Sequence, residues 1–110
     1  MSNIDKSLLS GSMSTMILKL LSEKDMYGYE MIETLRMRSE NVFELKAGTL
    51  YPILHTLESK DYLKSYDQDG FGRVRKYYSI TGKGKKYLED KLEEWNVYTK
   101  AVEGVLAFCV

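Results

Sequence analysis

Leu50, Ile53, Leu54 and Leu57 fall at i, i+3, i+4 and i+7, a spacing that lines one face of an α-helix and cannot line one face of a strand. Thr49, Tyr51, Pro52, His55 and Thr56 are left around the other face. Fifteen residues beyond Glu58, the run Arg73-Val74-Arg75-Lys76-Tyr77-Tyr78 sets bases and aromatics in the alternation of a β-strand. A chain with these two elements so close together is neither all-helical nor all-sheet. The predicted class is mainly α, α+β.

The flanking segments extend the pattern. Met13, Met16, Ile17, Leu20 and Leu21 predict a first helix that reaches back through Leu8 and Leu9 despite Gly11 and ends at 23–25. Tyr29, Ile32 and Leu35, after Tyr27-Gly28, predict a second helix with a turn at 39–41. Pro52 lacks a backbone donor and sits most easily near a first turn, so the third helix is expected to start at 47–49 with Thr49 as a cap. Residues 62–68 and 73–80 predict two strands around Asp69-Gly70-Phe71-Gly72, where the glycines permit positive φ. Thr81-Gly82-Lys83-Gly84 then opens a last helix. Its Leu88, Leu92, Trp95, Thr99, Val102 and Leu106 step alternately by four and three, a heptad-like stripe. Helix, turn, helix and basic hairpin in this order are the layout of a winged helix-turn-helix reader of duplex DNA.

Charge supports that reading through its distribution, because the formal net charge is zero. Between 62 and 87 stand seven bases (Lys64, Arg73, Arg75, Lys76, Lys83, Lys85, Lys86) against two acids, Asp67 and Asp69. Between 23 and 44 the balance reverses, six acids to three bases. One face should attract phosphate and another repel it. A length of 110 residues suits one domain with an extra helix. Without an apolar run of membrane length or an N-terminal h-region, the expectation is a soluble cytoplasmic protein with no membrane partner. One cysteine and one histidine support neither a disulfide framework nor a metal site, and no cofactor is expected.

Each candidate residue has a plainer reading beside it. Arg73, Arg75 and Lys76 suit phosphate contacts, and equally the solvated side of an edge strand. Of Tyr77 and Tyr78 at least one should be buried. His55 lies off the apolar face as a surface or DNA-facing donor, since no nucleophile is organised with it, and no catalytic constellation is found. Gly82-Lys83-Gly84-Lys85 reads better as a strand-to-helix turn than as a phosphate cradle. The stripe of the last helix, with no core left to cover it, predicts a homodimer through Leu88, Leu92, Trp95, Val102 and Leu106. There the single tryptophan would either pack against its partner copy or leave a slot for a flat aromatic ligand beside Leu92 and Thr99.

Tyr27-Gly28-Tyr29-Glu30, Gly48-Thr49-Leu50-Tyr51-Pro52 with Leu54 and Leu57-Glu58, and Arg75-Lys76-Tyr77-Tyr78 before Thr81 and Gly84 closely resemble the PadR family of bacterial transcriptional regulators. The resemblance spans roughly residues 8–108. It implies a winged helix-turn-helix DNA-binding domain over 1–81 and a C-terminal dimerisation helix over 82–110, as in the short branch of the family. It further implies a repressor that binds a palindromic operator in double-stranded DNA and is released by a small effector. Lys46, Thr49, Tyr51 and His55 would enter the major groove, Tyr29 would approach the backbone, and Arg73, Arg75 and Lys76 would contact phosphate or minor groove. Glu94-Trp95-Asn96 matches the place where LmrR-like, multidrug-sensing members stack planar aromatic compounds between two copies. The last helix departs from those members in being expected to end soon after Leu106, with Ala107-Phe108-Cys109-Val110 in place of polar residues. Two rival readings remain: a winged-helix protein-interaction module, and a small-molecule binding protein without operator recognition.

Overall fold

The computed structural model describes residues 11–107. Helix α1 (Met13–Glu23) is followed by strand β1 (Met26–Tyr27), α2 (Gly28–Arg38), α3 (Ala47–Ser59), the hairpin β2 (Leu63–Gly70) and β3 (Arg73–Ile80), and α4 (Gly82–Leu106). This is the α+β winged-helix architecture expected. The extension of the first helix through Leu8 and Leu9 lies outside the described residues.

The three strands form an antiparallel sheet in the order β1-β3-β2. Because β3 is central, Tyr78 is paired on both sides, with Met26 and with Ser65, and its side chain is 1% exposed. The short β1 was not foreseen; it exists only through its pairing with β3. Helices α1, α2 and α3 pack around this sheet through Ile17, Leu18, Leu21, Met31, Leu50 and Leu54, all buried. On α2 the buried face is Gly28, Met31 and Leu35. Tyr29, expected on that face, is instead 64% exposed and Ile32 half-buried. The spacing i, i+3, i+7 through a glycine outcompetes i, i+3, i+6 because the latter drifts around the helix.

Two further expectations are corrected by the backbone. Lys46, not Thr49, is the N-cap of α3, and Thr49 is the third helical residue. Pro52 therefore lies in the second turn, where the carbonyl left without its donor belongs to Gly48, an exposed residue that water can satisfy. In the hairpin, Gly70 is the last strand residue, opposite Arg73, and the two loop residues are Phe71 and Gly72. Their φ values of 52° and 77° are the signature of a type I′ turn, whose twist matches that of the strands. Asp61 takes a left-handed conformation (φ 64°) after α3, with its neighbour Tyr62 N–H bonded to Leu57 C=O at 3.0 Å, a Schellman closure.

Thr81 caps α4. Its hydroxyl accepts from Gly84 N–H at 3.0 Å and donates to Asp61 C=O at 2.6 Å, tying the start of the last helix to the end of α3. Thr81→Ala is expected to cost about 1 kcal/mol, read as a lower urea midpoint at unchanged slope. A midpoint equal to that of the parent protein would show the cap to be dispensable.

Candidate nucleic-acid interface

The N-termini of α2 and α3 and the tip-side half of wing strand β3 converge on an open cleft of about 560 Å³, lined by Tyr27, Gly28, Tyr29, Tyr51, Arg73, Arg75 and Lys76. Five residues singled out from the sequence meet there. Tyr27 and Gly28, which open α2 and belong to the Tyr27-Gly28-Tyr29-Glu30 motif, join them. Gly28 is buried because Tyr51 lies on it: a Cβ at that position would sit 2.3 Å from the Tyr51 hydroxyl oxygen. The signal was present as a Tyr-Gly pair, but its meaning depends on a side chain 23 positions away.

The wing is fastened to α2 by aromatic contacts. The Arg75 guanidinium lies 4.6 Å from the centre of the Tyr27 ring, and Tyr27 meets Tyr77 edge-on at 5.4 Å. Tyr77 stacks on Tyr66 at 5.8 Å, and the Tyr66 hydroxyl donates to Asp25 Oδ2 at 2.6 Å. That bond to a carboxylate holds the Tyr66 phenol protonated, raising its pKa above the ordinary value. Lys24 pairs with Glu30 at 2.9 Å, and Glu30 Oε1 accepts from the Tyr27 N–H at 3.4 Å, so the carboxylate of the first α2 turn is spoken for. On the far end of α2, Arg38 grips Glu23 through both carboxylate oxygens and holds that carboxyl below its usual range. No acid lines the cleft itself. Among the described residues, Arg73, Arg75 and Lys76 have no carboxylate oxygen within 4.0 Å.

Lys46, Thr49 and His55 do not line the cleft; all three are exposed, Lys46 as the N-cap of α3 and the other two along it, off the Leu50–Leu54–Leu57 face. Helix α3 and the wing therefore present two distinct surfaces. One is the exposed strip with Lys46, Thr49 and His55, the other a cationic, tyrosine-walled cleft beside it.

The last helix behaves differently along its length. Leu88, expected at a partner interface, is 5% exposed and part of the core of its own chain, and Leu92 packs against that core. The same heptad spacing serves the chain's own core first. Beyond Leu92 the cover ends: Trp95 is 49% exposed, and Tyr98, Val105 and Leu106 are exposed as well, with Thr99 and Val102 half-buried. Trp95 and Tyr98 approach at 6.3 Å with planes tilted by 37°. The Thr99 hydroxyl donates to the Trp95 carbonyl at 2.8 Å, so it is committed to its own helix. No helix among the described residues is long and apolar enough to cross a membrane.

The sequence profile of the transcriptional regulator PadR-like family matches residues 17–90. An uncharacterized protein of Lysinibacillus sphaericus is 40% identical over 89 residues, covering 80% of this chain and 82% of its own. A solved transcriptional regulator from Clostridium thermocellum superposes with a TM-score of 0.86 at 36% identity, covering 92% of this chain and 99% of that one. A PadR family transcription regulator from Clostridium difficile gives a TM-score of 0.76 at 38% identity, over 87% and 99%.

Proposed function

Because the chain belongs to the PadR-like family of transcriptional regulators, we propose that it is a repressor that binds a palindromic operator as a homodimer. Two copies would set their α3 helices in successive major grooves, about 34–36 Å apart. Lys46, Thr49 and His55 reach base edges. Tyr51, which the resemblance sends to the major groove, instead joins Tyr29, Arg73, Arg75 and Lys76 in gripping the backbone, because it lines the cleft with them. The dimer forms through α4 from half-buried Leu92, where the chain's own core ends, through Trp95 to Val102 and Leu106. A planar aromatic effector stacks on Trp95, flanked by Leu92 and Thr99, and changes the spacing of the two reading helices.

The observation that carries the DNA reading is the cleft itself, in which three wing cations have no carboxylate oxygen within 4.0 Å among the described residues. Charges left in that state release counterions on meeting phosphate, the main source of non-specific affinity. In a protein-interaction module the same charges would be expected to be neutralised within the fold. The effector reading rests on the half-exposed Trp95 beside Tyr98, an aromatic pair on the part of α4 that the chain's own core leaves open.

A mobility shift with the DNA upstream of the protein's own gene, at low and moderate salt, tests the proposal. A sequence-specific, salt-sensitive shift supports it, and equal weak binding to all duplexes counts against it. Within that assay, Arg75→Ala is expected to weaken binding about tenfold across sequences and to lower the salt slope by about one. Thr49→Ala should act on sequence preference instead. Equal small effects at both positions would remove the assigned surface.

A further inference from the structure

The wing ends in Gly70-Phe71-Gly72, and this tip is unusual in three ways. Phe71 is 98% exposed, the most exposed large apolar side chain among the described residues. It occupies a left-handed conformation, φ 52°, which a bulky residue adopts at a cost and which asparagine, aspartate or glycine would fill more easily. Gly72 needs its own positive φ of 77°. Gly70 does not: it lies in the ladder opposite Arg73, and a Cβ built there meets nothing within 4 Å. Neither its conformation nor packing within the chain calls for a glycine at 70. A glycine there keeps the tip thin beside the Phe71 ring, as close approach by another body would need.

The charges around the tip indicate which body. Arg73 follows the turn directly, with Arg75 and Lys76 behind it, while Asp67 and Asp69 lie on β2 opposite Lys76 and Val74. The cationic strand is the one continuous with the cleft. We infer that Phe71 is an apolar wedge which the wing inserts into the minor groove of bound duplex, partly unstacking one base step. This rests on the operator-binding reading above. A minor groove about 6 Å wide admits a thin tip and excludes a helix, so glycines on both sides of a single ring are what such an entry requires. Arg73 then holds phosphate at the rim. Steps that unstack easily, TA and CA/TG, are favoured beneath the ring, which extends sequence preference to a position that α3 does not touch.

The test uses the full-length protein and duplexes that it selects from a randomised pool, with 2-aminopurine walked through the protected region. Wild type is expected to raise the probe's fluorescence at one step per half-site. Phe71→Ala should abolish that rise and weaken binding about tenfold where the step is TA, with the salt slope unchanged. Phe71→Asn, better suited to the turn, should lose the signal in the same way while melting no lower than wild type, which separates wedge from fold. If Phe71→Ala keeps both affinity and signal while Arg75→Ala still weakens binding, the wedge is overturned and the operator reading stands. If wild type selects no duplex at all, both fall.

Discussion

Gly84→Ala is expected to lower the thermal midpoint by about 10–20 °C, the equivalent of roughly 2–3 kcal/mol in a domain of this size. A Cβ at 84 would lie 2.2 Å from the Tyr62 carbonyl oxygen and 2.8 Å from Ile80 Cγ1. The carbonyl cannot yield alone, because it accepts from Thr81 N–H at 3.0 Å. Tyr62 itself stacks on Tyr87 at 4.2 Å. Helix α4 must therefore move off the sheet, and the Thr81 cap, the Tyr62–Tyr87 stack and the packing of Leu88 move with it. Gly104→Ala in the same helix is the control. Nothing lies within 4 Å of its Cβ, so alanine's helix preference of about 1 kcal/mol should show as a gain. Circular-dichroism melts at one protein concentration compare the two. A Gly84→Ala protein melting at or above wild type would refute the close packing of α4 on the hairpin.

Trp95→Asp is expected to yield a folded monomer whose operator affinity falls about a hundredfold or more. Trp95 is half exposed within its own chain, while Leu88 a few turns earlier is buried, so the charge should leave the fold of each copy intact. The proposed interface would instead have to bury a carboxylate where an aromatic anchor stood. Losing the second reading helix removes the gain from bivalent binding, which reaches two to four orders of magnitude. Light scattering reports the mass and fluorescence anisotropy the affinity. A dimer that survives the substitution would place the interface elsewhere.

Leu50, Ile53, Leu54 and Leu57 were legible as one face because helical periodicity is a local property, and Leu50, Leu54 and Leu57 are indeed buried. The same holds for the strand of Arg73–Ile80 and for the Thr81 turn into α4. What escaped depended on distant partners. Two residues, Met26 and Tyr27, carry no periodicity, and only Tyr77 and Tyr78 make them a strand. Gly28 looks like a helix opener until Tyr51 is seen resting on it. The stripe of α4 could not be divided in advance, because a heptad facing its own core and one facing a neighbour have the same spacing. At the hairpin tip, two glycines drew the turn to themselves, whereas a phenylalanine takes one of the two left-handed places. Of the candidate site, five residues are brought to one cleft, and the others lie on the adjoining surface of α3.

Helix α4 is 25 residues long, which at 1.5 Å per residue is a rod of about 37 Å anchored to the wing at one end and bare at the other. Such a rod has leverage. A tilt of about 5° at its bare end swings the anchored end through roughly 3 Å, close to the rise of one base pair. Because Thr81, Tyr62 and Leu88 clamp that end to the winged domain, the swing would carry α3 with it. In the proposed dimer, a shift small enough to be made by inserting one flat ring between two helices would thus be converted into a register error on DNA.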